Sequence, residues 1–349
     1  MKIYDVPGQR RYWVVRAEAG RYFDHFIHYG LVALGHLNRL NIQDCVNADA
    51  ILGWEDLKER YEASQGALDN SKQQTSSHLA QVRSFLYEMS VGDWVVTVGR
   101  GGVRFGRIVD RPAIKKEKLV VLLGPDGSRS ESMEMHLQRA VVWGPGLSRG
   151  NLPYGLQLSL KANQTVFSLD AKWDAIYHSL YPAFTRDGKL FLSAKIRKKE
   201  DIRNHDISTI FRLLDEVEII GKEMALRGHL GDFENSYAEY IDQNKLTNTT
   251  KAQFHSPGDI WNAISGTVGN LAPSEWIPYT VLAYAMLFGN QKLGFDGLVD
   301  LQTRQKIWDL ILQRLKANRA DNVVDSVQLE LPKIDTSALE DHSKDQPGD

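Results

Sequence analysis

The sequence predicts an α+β chain in which a small β-barrel over residues 1–145 precedes a mostly helical domain over 146–325. Three observations predict it. The first half carries short runs rich in β-formers, punctuated by glycine turns at the spacing of a small barrel rather than of a βαβ sheet. After Gly144-Pro145-Gly146 the apolar residues recur mainly at helical spacing. The length of 349 residues implies about two domains, and 42% hydrophobic with 25% charged residues is a globular composition. That composition excludes a disordered, collagenous or disulfide-stapled chain.

The barrel strands are taken in order. Tyr12-Trp13-Val14-Val15 is a short aromatic and β-branched run, and Leu31-Val32-Ala33-Leu34 is framed by Gly30 and Gly35. Asp93 to Val98 ends at Gly99, and Val103 to Val109 follows. Gly99-Arg100-Gly101-Gly102 between them is a hairpin signal. Leu119 to Leu123 and Arg139 to Trp143 complete the set. Two helices interrupt it. Trp54 to Gly66 is amphipathic, and Ser76 to Met89 places Leu79, Val82, Phe85, Leu86 and Met89 on one face.

In the second half, Gln164 to Leu169 and Lys189 to Ile196 read as strands, Asp187-Gly188 as a turn, and helices dominate the remainder. Asp174 to Tyr181 stops at Pro182. Asp206 starts a helix to about Leu226, with Ile207, Ile210, Phe211, Leu214, Val217 and Ile220 inward. Ser256-Pro257 has the form of an N-cap with proline at the first helical position, so a helix is expected over Asp259 to Ile264. Trp276 to Phe288 is nearly all apolar. A membrane span needs roughly 20 such residues, so it reads as a buried core helix. Thr303 to Arg319 is a further helix. There is no internal repeat.

The net charge of -2 is unevenly spread. Glu330 to Asp349 holds six acids and two lysines, leaving the rest of the chain at +2. Residues 326–349 are therefore expected to form a disordered acidic tail. The single cysteine, Cys45, can form neither an internal disulfide nor a zinc site. Met1-Lys2-Ile3-Tyr4-Asp5 is not the basic start of a signal peptide, so the cytoplasm is the expected compartment.

Few motifs carry chemistry. There is no phosphate loop, His-Glu-x-x-His, cysteine pair or Gly-x-Ser-x-Gly elbow, and the glycines at 99, 101 and 102 lie in a hairpin. No cofactor and no metal site are expected. His25 and His28 lack a carboxylate at ligand spacing. Asp170-Ala171-Lys172 after an apolar strand has the form of a PD-(D/E)xK nuclease motif, in which the carboxylate holds Mg²⁺ and the lysine stabilises charge. No Asp or Glu lies between Gly144 and Leu169 to complete it, so a helix-capping role for Asp170 is preferred.

The N-terminal stretch is the most informative. Tyr12-Trp13-Val14-Val15-Arg16 is followed by Gly20, Tyr22, Phe26 and Gly30-Leu31-Val32-Ala33-Leu34-Gly35. A helix then leads into Gly92-Asp93-Trp94-Val95 and Val103-Arg104-Phe105-Gly106-Arg107-Ile108. This order, over about residues 10–145, resembles the PUA-like superfamily, and most closely the EVE-type domains found at the N-termini of prokaryotic restriction and defence proteins. His36 stands where that family often has Trp. The resemblance implies a pocketed barrel that reads nucleic acid, DNA before RNA, including a modified base turned out of its duplex. Trp13, Tyr22, Phe26 and Trp94 then supply aromatic faces, and Arg16, Arg21, Arg100 and Arg104 supply phosphate or base-edge contacts. The leading expectation is a non-catalytic recognition protein of a defence-type system. Residues 146–325 would couple binding to a protein partner or to homo-oligomerisation, and no membrane span is expected. The alternatives are a Mg²⁺-dependent nuclease using Asp170 and Lys172, or a protein- or small-ligand-binding module.

Overall fold

A computed structural model describes residues 3–38, 40, 51–66, 72–99, 102–123, 127, 129–254, 258–266, 270–288, 299–320 and 322–340. The architecture is mixed α and β. Two compact units are present. Residues 9–175 with the segment from Asp335 form one, and residues 1–8 with 176–334 form the other. Cys45, Arg100, Ser256-Pro257 and residues 341–349 lie outside the described residues.

The first strand, β1 (Tyr4–Asp5), belongs to the second unit. The first unit contains the strands β2 (Tyr12–Val15), β3 (Leu31–Leu34), β4 (Trp94–Gly99), β5 (Gly102–Ile108), β6 (Ala113–Ile114), β7 (Leu119–Leu123), β8 (Arg129–Met133), β9 (Leu137–Leu147) and β10 (Val166–Ser168). Its helices are α1 (Phe23–His28), α2 (Trp54–Gly66), α3 (Lys72–Arg83) and α4 (Tyr154–Ser159). Among the described residues, β7 and β8 pair as a separate ribbon. The other strands form one curled sheet in the order β10-β2-β4-β5-β9-β3, with β6 also on β9. The long strand β9 makes the curl. Its residues 141–147 pair with β5, and its residues 137–140 pair with β3. A register irregularity between Arg104 and Gly106 marks the bend. The result is a half-barrel with edges at β3 and β10.

The predicted strand residues, with Phe26 of α1, supply the half-barrel core. Trp13, Val15, Phe26, Val32, Leu34, Val95, Ile108 and Val141 pack against Val82 and Phe85 of the covering helix. After Arg83 that helix widens into a π-turn over Ser84–Glu88, which leaves carbonyls without their usual partners. Buried Arg139 of β9 supplies donors. Its guanidinium donates to the carbonyls of Phe85 at 2.9 Å, Leu86 at 3.3 Å and Met89 at 2.9 Å. Burial pushes its pKa down to about 10.

The boundary expected at Gly144-Pro145-Gly146 is displaced to residue 175. Strand β10 pairs antiparallel with β2, Val166 opposite Val15, so residues 146–175 complete the half-barrel. The acidic segment expected to be disordered also differs. Leu339, in the short 3₁₀ turn Ser337–Leu339, is buried, and Gly144 makes room for it: a Cβ there would lie 2.8 Å from Leu339 Cγ. Buried Leu339 anchors the described residues 335–340 of this segment.

The second unit continues with α5 (Trp173–Leu180), within which the division falls, then β11 (Ala183–Arg186), β12 (Lys189–Ile196), α6 (Asn204–Arg227) and α7 (Phe233–Asp242). There follow β13 (Thr249–Gln253), β14 (Gly258–Ile264), α8 (Pro273–Leu287), α9 (Leu301–Ala317), α10 (Val323–Val327) and β15 (Leu329–Glu330). Helical residues outnumber strand residues in this unit, and the helices are joined by a sheet. Its sheet runs β1-β11-β12-β14-β13, with β15 on β12. The expected helix over Asp259–Ile264 is strand β14, with Gly258, Ile260, Asn262 and Ile264 buried alternately. Ile260 and Ile264 are four apart, a spacing that suits a helix equally well. Inward Asn262 hides the period of two.

Helix α6 is the axis of this unit. Leu213, Leu214, Val217 and Ile220 join Leu190, Leu192 and Ile196 of β12 and Val281 and Tyr284 of α8 in one core. Charge is buried with them. Glu216 accepts from Arg314 Nε at 3.1 Å and Nη2 at 2.9 Å, and from Asn318 Nδ2 at 3.0 Å. Lys222 donates to Glu218 at 2.5 Å. The apolar helix α8 is buried in this core, and among the described residues no helix is long and apolar enough to cross a membrane.

Candidate functional site

The half-barrel carries an open cavity of about 370 Å³ lined by Glu18, Tyr22, Leu34, Gly35, His36, Asn38, Glu134, Met135 and Thr165. Three local structures build it. The first is the turn after β2. Glu18, Ala19 and Gly20 all adopt positive φ, at 47°, 53° and 90°, a conformation that costs about 1–2 kcal/mol for each non-glycine residue. The amides of Gly20 and Tyr22 both donate to the Ala17 carbonyl at 3.0 Å, and the chain reverses so that Tyr22 reaches the cavity. Gly20 is required twice over: its φ is left-handed, and a Cβ would lie 3.3 Å from Gly99 Cα.

The second is the loop that leaves β3. The Asn38 backbone N–H donates to the Gly35 carbonyl, and its side chain bridges to the opposite wall. Asn38 Nδ2 donates to the Glu134 carbonyl, and Asn38 Oδ1 accepts from the His136 N–H at 3.1 Å. Both ends of this amide are therefore committed to holding the wall. The third is an imidazole pair. His36 stacks on His78 of α3 at 4.3 Å and 20°, and His78 Nδ1 lies 3.2 Å from the Tyr61 hydroxyl. Burial, and then the neighbouring His78, push the His36 pKa down to about 4, so the ring in the cavity wall is neutral at physiological pH.

The predicted site residues separate on this geometry. Tyr22 lines the cavity, with its ring edge against His25 at 5.4 Å. Trp13, Phe26 and Trp94 are buried in the half-barrel and offer no face to a ligand. Trp13 Nε1 donates to Asp93 at 3.0 Å, and the Arg11 guanidinium covers its ring at 4.2 Å. Strand position accounts for this: a Trp in a short strand of a small barrel is needed to fill it. Arg16 donates through Nη2 to the Leu160 carbonyl at the end of α4. Burial, and then Arg149, lower its pKa. Arg104 donates to the Gly144 carbonyl at 3.1 Å. Both arginines serve the framework. Arg21 is exposed, donates to Glu131 at 2.8 Å and lies over the Tyr22 ring at 5.0 Å, which puts it beside the cavity. Arg100 is outside the described residues.

Asp170 is likewise occupied. It accepts from the Tyr12 N–H at 2.7 Å and from Arg11 Nε at 3.1 Å, which fastens β2 to the turn after β10. Among the described residues no group of three His, Cys, Asp or Glu side chains is placed to hold a metal, so Asp170 and Lys172 gain no partner carboxylate there. In the second unit, within the basic stretch 194–199, Lys195 is buried in β12, Arg197 pairs with Glu330 at 3.1 Å, and Lys199 is exposed.

Sequence reasoning missed most of the cavity wall. Glu18 and Asn38 act through a turn and a loop clamp that carry no motif. Thr165 lies beyond the expected domain boundary. His36 alone had a signal, as the departure from Trp in the resemblance. No family model, no curated protein and no solved structure matches this chain.

Proposed function

We propose that the half-barrel unit is a non-catalytic, PUA/EVE-like reader of nucleic acid that accepts a single base, plain or modified, turned out of its strand. The observation that carries this reading is the open cavity of about 370 Å³ with the Tyr22 and His36 rings in its wall. Ligand sites are of this size and combine ring surface with a few placed polar groups. Flipped bases are held by stacking together with hydrogen bonds to their edge. Among the described residues, exposed Arg21 beside the cavity and Lys118, 3.2 Å from Glu134, are cations placed to meet a strand backbone. With so few, phosphate contacts contribute modestly and the affinity falls only gently with salt. The second unit would pass the binding event to a protein partner or to a second copy of the chain. DNA is the first substrate to try.

The test is fluorescence anisotropy of the full chain with plain and base-modified oligonucleotides, single- and double-stranded, across a salt series. Binding with a shallow salt slope is expected. Tyr22→Ala should weaken it about tenfold, the scale of one lost base–aromatic stack. Absence of salt-dependent binding to every oligonucleotide refutes the proposal.

A further inference from the structure

The polar inventory of the cavity is lopsided. Most of the backbone groups around it are already engaged. The Gly35 carbonyl accepts from Asn38, the Thr165 N–H donates to Gln81 Oε1, and the Thr165 carbonyl accepts from the Arg16 N–H. The carbonyls of Glu134 and Met135 accept from Asn38 and Gln138 side chains. The side chains around the opening are the carboxylates of Glu18 and Glu134, the hydroxyls of Tyr22 and Thr165, and the His36 imidazole; the Tyr22 hydroxyl already donates to Glu18, and the imidazole interacts with Gln81. No lysine or arginine is in the wall. Carboxylates only accept, and hydroxyls can turn either way. Acceptors therefore dominate. The Lys118–Glu134 pair is exposed on both sides and so holds Glu134 only weakly against a competing donor.

Resting on the reading of this cavity as a base pocket, we infer that it selects bases by an amino edge: cytosine, adenine or guanine, and derivatives that keep an N–H there, over thymine and uracil. Amino-bearing bases present the exocyclic N–H donors that a carboxylate needs. Thymine and uracil keep a single donor on that edge, N3–H, between two carbonyl oxygens that would face a carboxylate acceptor to acceptor, so they can satisfy Glu18 and Glu134 less fully than an amino edge can. A neutral His36 ring suits this choice, because an imidazolium would repel the amino hydrogens while offering a donor to the excluded carbonyls. A polar group left unpaired against a bound base discriminates between ligands of the same shape, and at these exposed carboxylates that penalty is moderated by water.

The experiment uses the full chain and four otherwise identical duplexes, each with one bulged nucleotide, C, A, G or T, followed by anisotropy. The C, A or G bulge should bind about tenfold or more tightly than T. Glu18→Gln and Glu134→Gln, both at exposed positions where folding is not at stake, should each shrink that ratio, because an amide can donate as well as accept. Equal affinity for the four duplexes, with Tyr22→Ala still weakening all of them, overturns the amino-edge inference and leaves the base-pocket reading standing. A wild-type ratio untouched by either glutamine variant also overturns it. No binding to any duplex, with competition-free binding of a methylated-lysine peptide instead, overturns both and makes the cavity a cation site.

Discussion

Replacing Gly221 with alanine should destabilise the second unit, although alanine is the better helix former. Gly221 lies inside α6, where it faces Thr280 of α8. A Cβ there would lie 2.6 Å from Thr280 Cα and 2.7 Å from Thr280 Cβ. The first of these is backbone and cannot rotate away, and the Thr280 hydroxyl is held to the Trp276 carbonyl at 3.3 Å. The two helices must therefore separate. Overpacking of a dense core costs about 1–3 kcal/mol, and a backbone obstacle puts this case at the upper end. The intrinsic gain of alanine over glycine offsets about 1 kcal/mol. The net loss is about 2 kcal/mol, or roughly 4–8 °C in Tm for a unit of this size. Urea and thermal unfolding measure it. Gly231→Ala, where a Cβ meets nothing within 4 Å, is the control and should stay within about 0.5 kcal/mol of the parent. Adding Thr280→Ala to Gly221→Ala should restore only part of the loss, because Thr280 Cα remains. A Gly221→Ala protein as stable as the parent would refute the close helix crossing.

Two further predictions concern the charges buried around α6. Glu216→Gln removes the charge partner of Arg314 while leaving Glu234 at 2.8 Å, so about 2–3 kcal/mol of stability should be lost. Arg212→Ala, which removes a half-exposed partner of the same carboxylate, should change stability by under about 1 kcal/mol; equal losses in the two variants would contradict a buried Glu216–Arg314 pair. Asp215 is held protonated more readily than usual. Burial raises its pKa to about 6, against the lesser pull of Asn248 Nδ2, which donates to it at 3.4 Å. A carboxyl whose folded pKa is raised makes its full contribution below about pH 4 and loses it as pH climbs through 6. Asp215→Asn should therefore stabilise the protein by about 1–2 kcal/mol at pH 7, with the advantage gone at pH 4, as read by urea midpoints across pH. An advantage constant with pH would show that the charge is not the cause.

Much of the half-barrel was legible because its strands are bounded by glycines and its core residues are aromatic or β-branched. Tyr12–Val15, Leu31–Leu34 and the hairpin around residues 99–102 were all placed from such signals. The helices α6 and α9 were legible because period 3.6 persisted over many residues, and α8 because its residues are apolar nearly throughout. Strand β14 was misread because its two inward isoleucines are separated by four residues and its central inward residue is an asparagine. The boundary was misplaced because Gly144-Pro145-Gly146 looks like a linker, whereas long β9 runs straight through it. Of the residues named from the sequence, Tyr22 lines the cavity and Arg21 lies beside it. Trp13, Phe26 and Trp94 were chosen as aromatic surface, yet a small barrel has little volume to spare and takes its largest rings inside.

Local patterning along the chain specified a subset of the elements: the β-rich first half, the longer amphipathic helices, and an apolar α8 too short for a bilayer. Those properties follow from side-chain periodicity and turn chemistry, which act between near neighbours. The cavity depends on contacts between distant residues. Glu18 and Tyr22 come from one turn, Gly35 to Asn38 from another, Glu134 and Met135 from the approach to β9, and Thr165 from the entry to β10. Their meeting requires β9 to pair with β3 and β10 with β2. Long-range pairing of this kind is governed by sheet closure and burial, to which no single stretch of sequence testifies. The neutral state of His36 has the same origin. It arises from burial and from an imidazole 42 positions away in the chain, brought to 4.3 Å by the packing of α3.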